Sequence, residues 1–87
     1  MATMQILAPG TANTQSADIS LSDGVTASFI LRGNGSLNFL AKGADGGYEF
    51  AGFIGNGSRV GRISGPVTIA VQRIAQVNAV GCDMTKD

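Results

Sequence analysis

Apolar and polar residues alternate along this chain over short runs, and glycine-containing turns interrupt them roughly every eight to twelve residues, with no recurrence at helical spacing. That rhythm predicts strands joined by tight turns. From Val25 the run VTASFIL sets Val25, Ala27, Phe29 and Leu31 on one face and Thr26 and Ser28 on the other, the two-residue period of a half-buried strand. SLNFLAK sets Leu37, Phe39 and Ala41 against Ser36, Asn38 and Lys42, with Leu40 as an exception. PVTIAVQRI alternates Val67, Ile69 and Val71 with Thr68, Ala70 and Gln72, the cleanest pattern in the sequence, and is expected to lie centrally. GYEFAGFI and SRVGRIS add two more strands. Residues 5–8, Ile19 with Leu21, and QVNAVGC add shorter ones and leave MTKD as a polar tail.

Asn34-Gly35 and Asn56-Gly57 each sit between alternating runs. A type I′ turn needs positive φ at both central residues, which Asn and Gly tolerate best, so each pair predicts an antiparallel hairpin. The first would pair VTASFIL with SLNFLAK, the second GYEFAGFI with SRVGRIS, and Asp45-Gly46-Gly47 would join the two hairpins. The expected fold is therefore all-β, a small antiparallel β-sandwich or barrel of about seven to eight strands. Its core is expected to hold Phe29, Leu31, Leu37, Phe39, Phe50, Val67, Ile69 and Val71. The chain reads as one domain over residues 1–87, with 1–16 as a candidate N-terminal arm. Met4, Ile6 and Leu7 are apolar but precede a polar stretch over residues 11–16. They suit either a strand that reaches a neighbour's sheet edge or a first strand folded back on its own sheet.

Composition narrows the function. A protein of 87 residues buries only about 60–65% of its unfolded surface. With 13 Gly, 6% aromatic residues and no Trp, its core is thin, and oligomerisation or docking on a larger surface would supply burial. Six basic and six acidic residues give zero formal charge, which removes the electrostatic term behind most nucleic-acid binding. The N-terminal residues lack the basic and apolar regions of a secretory signal, and no run approaches the roughly 20 apolar residues of a membrane span. Nucleic acid and membrane are not expected partners. Synthesis in a cytoplasm is expected.

Catalytic chemistry has little to work with. Histidine is absent, which removes His-based triads, Cys-His dyads and most zinc sites. Asp23 and Asp45 fall in predicted turns, where Asp hydrogen-bonds its own backbone. Gly55, Gly57 and Gly61 miss the spacing of a phosphate loop and precede no helix. Cys82 is alone and reads as a small buried hydrophobe in a strand. No enzyme activity, metal or cofactor is expected. Asn34-Gly35-Ser36 and Asn56-Gly57-Ser58 match the glycosylation acceptor pattern, which has meaning only in a secretory pathway. The remaining candidates are for binding protein surfaces. Arg59 and Arg62 suit an interface, where the guanidinium fork pairs with carboxylates and carbonyls, or the charged defence of an edge strand. Phe53 has the opposite strand parity to Tyr48 and Phe50, so it is an outward docking handle or part of a second sheet's core.

The landmarks ILAPGTANTQSADISLSDG, VTASFIL, KGADGGYEF and ISGPVTIAVQRI together resemble a group of short virion structural proteins of tailed bacteriophages. The resemblance covers most of the sequence and lies in turns and alternation. It implies a β-sandwich acting as a capsid decoration or cement protein, made in the host cytoplasm and carried in many copies on the capsid surface. Its partner would be the major capsid protein or another virion protein, or further copies of itself. A neck, tail or head-fibre component and a host-glycan recognition module are the alternatives. The partner-binding residues expected on this reading are Met4, Ile6, Leu7, Phe53, Arg59 and Arg62.

Overall fold

In the computed structural model, which describes residues 3–86, the protein forms nine strands and no helix. The ends of the expected domain and arm, residues 1, 2 and 87, lie outside the described residues. The strands are β1 (Thr3–Gly10), β2 (Thr14–Gln15), β3 (Ile19–Leu21), β4 (Thr26–Gly33), β5 (Ser36–Lys42), β6 (Tyr48–Gly55), β7 (Val60–Ser64), β8 (Val67–Arg73) and β9 (Val80–Lys86). One sheet runs β1-β9-β4-β7. The second runs β8-β5-β6, with β2 and β3 end to end along the other side of β8. Every strand pairing is antiparallel. The architecture is an all-β sandwich.

Strand positions follow the alternation, but pairing does not follow the Asn-Gly signals. β4 and β5 lie in different sheets, as do β6 and β7. Both expected hairpins are therefore corrected to crossings between the layers. Neither Asn34 nor Asn56 has positive φ, as a type I′ turn would require. At Asn56-Gly57 a tight turn does close, with Gly55 and Ser58 exchanging backbone hydrogen bonds of 3.1 and 3.0 Å, yet its flanking strands part at once. Among the described residues, the one pair of sequence-adjacent strands that hydrogen-bond is β5 and β6. Their loop is the Asp45 turn, closed by Gly43 N–H to Gly47 O at 2.7 Å and by Gly47 N–H to Asp45 Oδ1 at 2.9 Å.

The core lies between the sheets. Ala27, Phe29 and Leu31 of β4, with Val80, Cys82 and Met84 of β9, face Leu37 and Phe39 of β5, Ile54 of β6, and Ile69 and Val71 of β8. Leu7, Ile19 and Leu21 complete it. Cys82 is a buried free thiol, and desolvation pushes its pKa up to about 12, so it packs as a neutral group.

Three further expectations are corrected. Phe50 is 64% exposed rather than core, and Val67 only packs against the core's margin. The last strand starts at Val80, not at Val77, which is almost fully exposed. MTKD is not a tail, because Met84 to Lys86 continue β9 and Met84 is buried between Phe29 and Met4 in register.

Candidate functional site

A β-bulge decides what β6 shows to solvent. Leu37 pairs with Ile54, Asn38 with Phe53 and Phe39 with Gly52, but Leu40 pairs with Phe50, which leaves Ala51 as an extra residue. In a regular strand Phe50 and Phe53 would point to opposite faces. The inserted residue reverses the parity, so that both stand on the outer face of their sheet. Phe50 and Phe53 are 64% and 66% exposed, and Tyr48 continues the row at 40%. Half-buried Leu40 lies opposite Phe50, and Asn38, whose Nδ2 reaches Gln72 Oε1 at 3.4 Å, lies opposite Phe53. Three aromatic rings thus line the free edge of the β8-β5-β6 sheet on its open face.

Charge at one end of this row is compensated. Lys42 donates to Asp18 Oδ2 at 2.9 Å, Tyr48 Oη donates to Asp18 Oδ1 at 2.5 Å, and the Lys42 ammonium lies 5.9 Å from the Tyr48 ring centroid. The Tyr48 hydrogen bond and then Lys42 hold the Asp18 carboxyl below its ordinary value, while Asp18 raises both Tyr48 and Lys42. A carboxyl with a depressed folded pKa stabilises above its unfolded value, about 4, and that contribution is lost as pH falls through the folded value. Asp18→Asn is therefore expected to lower the melting temperature slightly near neutral pH, and the two curves should converge in acid. A difference that persists in acid would show that the clamp is not ionic.

The expected partner-binding residues are not brought together. Leu7 is 5% exposed and belongs to the core, which corrects its reading as a docking residue, and Ile6 packs against that core. Both lie on β1, which pairs with the protein's own β9 from Thr3↔Thr85 to Gly10↔Val80. The N-terminal strand is thus folded back on its own sheet. Met4 is exposed on that outer strand. Arg62 is exposed on β7 opposite Ser28, on the sheet that does not carry the aromatic row. Arg59 is spoken for internally, since its Nη2 donates to Gly33 O at 2.7 Å and Leu31 O at 3.3 Å. Of the six, Phe53 alone lies in the row, where Phe50 and Tyr48 join it.

Sequence reasoning also missed Arg73. It is 6% exposed, and its guanidinium donates to Ala12 O (2.7 Å), Ala8 O (2.7 Å), Val80 O (2.8 Å) and Thr14 Oγ1 (2.9 Å). These partners span both sheets, so Arg73 closes one end of the sandwich. Its signal was parity, because the inward series Ile69, Val71 continues to residue 73. No cleft suited to a small molecule opens among the described residues, and no acidic or sulfur cluster there has the arrangement of a metal site. Comparison with protein-family models, curated proteins and solved structures returned no match.

Proposed function

We propose that the protein is a non-catalytic docking module, used as a structural protein of a phage virion and bound in many copies to the head as a decoration or cement protein. The observation that carries docking is the aromatic row of β6, because two adjacent phenylalanines left mostly in water on an open sheet face are not explained by the domain's own packing. Aromatic anchors of this kind dominate interface energetics. Zero formal charge suits close packing of many copies without mutual repulsion. The virion assignment rests on the resemblance of turns and alternation.

Phe50→Ser with Phe53→Ser tests it. Co-sedimentation with intact phage heads is expected to weaken about thirtyfold or more, the effect of losing one strong anchor, while the melting temperature stays nearly constant because neither ring is core. Undiminished sedimentation of the double variant would remove β6 as the docking face, and failure of the unaltered protein to sediment would remove the head-decoration reading. The Asn38–Gln72 amide pair beside Phe53 favours one second reading, a glycan site, since sugars stack on rings and hydrogen-bond to neighbouring amides. Retention on a glycan column without heads, abolished by the same double variant, would select it.

A further inference from the structure

The two Asn-Gly turns share a tripeptide, Asn-Gly-Ser, at residues 34–36 and 56–58, and the fold brings them together. Asn56 Oδ1 accepts a hydrogen bond from Gly35 N–H at 3.1 Å and another from Arg59 Nη1 at 3.4 Å. Arg59 is itself fixed by its Nη2 bonds to Gly33 O and Leu31 O. The amide group of one asparagine therefore links both turns through its carbonyl oxygen.

The chemistry available to Asn-Gly depends on that oxygen and on the nitrogen that follows. In succinimide formation the backbone nitrogen of the glycine attacks the asparagine Cγ and loses its proton to solvent. A new bond forms between that nitrogen and Cγ, the bond from Cγ to Nδ2 breaks, and Nδ2 takes up a proton from solvent and leaves as ammonia. Water then opens the ring to aspartate or isoaspartate. Negative charge develops on Oδ1 during attack, so donors already aimed at Oδ1 favour the step.

We propose that Asn56 is a self-modification site whose conversion to aspartate or isoaspartate is assisted by Arg59 and Gly35 N–H, while the identical sequence at Asn34 is protected. At Asn56 both donors face Oδ1. The attacking nitrogen, on Gly57, has no backbone hydrogen-bond partner among the described residues, and nothing lies within 4 Å of where a Cβ on Gly57 would be. At Asn34 the attacking nitrogen belongs to Gly35, whose N–H is committed to Asn56 Oδ1. Gly35 is also crowded, since a Cβ there would collide with Gln76 Oε1 and lie 2.6 Å from Val80 Cγ2. Reaction at Asn34 must break the hydrogen bond of its attacking nitrogen and move packed atoms beside it, whereas the Gly57 nitrogen carries neither restraint. In the aspartate product a carboxylate stands where Arg59 and Gly35 N–H already donate, an arrangement stronger than the neutral one it replaces. It also gives a protein of zero formal charge one negative charge, at the end of the strand that carries the aromatic row.

The shared tripeptide supplies its own control. The folded protein would be aged at mildly alkaline pH, digested, and each Asn-Gly peptide followed by mass spectrometry for replacement of amide by acid. A parallel sample would be aged in denaturant. In denaturant the two sites are expected to react at one rate. In the folded protein Asn56 should react about tenfold faster than Asn34, the rate equivalent of one net hydrogen bond. Arg59→Ala should slow Asn56 in the folded protein and leave both rates in denaturant unchanged. Equal rates in the folded protein, faster reaction at Asn34, or an Asn56 rate that Arg59→Ala leaves unchanged or raises would each overturn the proposal.

Discussion

Phe39→Ala is expected to cost the domain about 3–5 kcal/mol, the usual result of emptying a buried phenylalanine site. Small domains hold only about 5–15 kcal/mol in all. Phe39 is 4% exposed, and its ring centroid stands 5.1 Å from that of Phe29 in a tilted pair across the two layers. The space cannot close easily. Gly61 lies beneath the ring, and a Cβ there would come within 2.9 Å of both Phe39 Cε2 and Ile54 Cγ2, so the ring fills room left by a missing side group. With the ring gone, backbone on that side offers nothing to collapse into the void. Thermal denaturation should show a fall of at least about 12 °C for a domain of this size. Phe50→Ala, the same change on the neighbouring strand's outer face, is expected to stay within about 0.5 kcal/mol of the parent. Equal losses for the two would contradict the assignment of inner and outer faces.

That contrast shows where the sequence was legible. Alternation in VTASFIL and SLNFLAK fixes which residues of each strand face the core, and Phe29, Leu31, Leu37 and Phe39 are buried as it implies. It does not say whether two strands joined by a short turn lie side by side or face to face. Both arrangements bury the same residues: in a hairpin Phe29 and Phe39 would share a sheet face, whereas here they meet across the sandwich. Asn-Gly marks where the backbone turns, but φ chooses the kind of turn, and Gly33 and Gly35 take the positive values here while Asn34 does not.

The aromatic row was hidden for a different reason. Strand parity carries information only while the register is unbroken, and the bulge at Ala51 breaks it between Phe50 and Phe53. Counting in twos along β6 therefore places Phe50 in the core. Nothing in YEFAGFI announces the extra residue apart from Gly52, which has φ of +148°. On β1 the limit was topological. Met4, Ile6 and Leu7 suit an exchanged arm and a strand of the protein's own sheet equally well as a sequence. The choice depends on whether β9 offers a free edge, and a last strand that ends before MTKD is too short to offer one along the whole of β1.

Arg73→Met is expected to destabilise the domain by about 2–5 kcal/mol, through acceptors that lose their charged donor rather than through lost apolar contact. Methionine is flexible and fills most of the space of the arginine stem, although it ends two atoms short of the guanidinium nitrogens. It cannot donate, so Ala8 O, Val80 O, Ala12 O and Thr14 Oγ1 all lose the guanidinium. No carboxylate pairs with Arg73 among the described residues. Its charge is balanced by carbonyl and hydroxyl dipoles, and removing it leaves no opposite charge stranded. Arg73→Lys separates charge from geometry. Lysine keeps the charge, but its three donors radiate from one atom and cannot span acceptors on β1, β2 and β9 as a planar fork does. It should recover only part of the loss. The damage should also be local at first. Arg73 ties residues 8–14 to the end of β8, so hydrogen exchange should quicken in β1 and β2 before β4 and β5. Full stability in Arg73→Lys would show that charge alone suffices. Uniform loss of protection in every strand would show that the sandwich end is no separate unit, and that Arg73 supports the whole core at once.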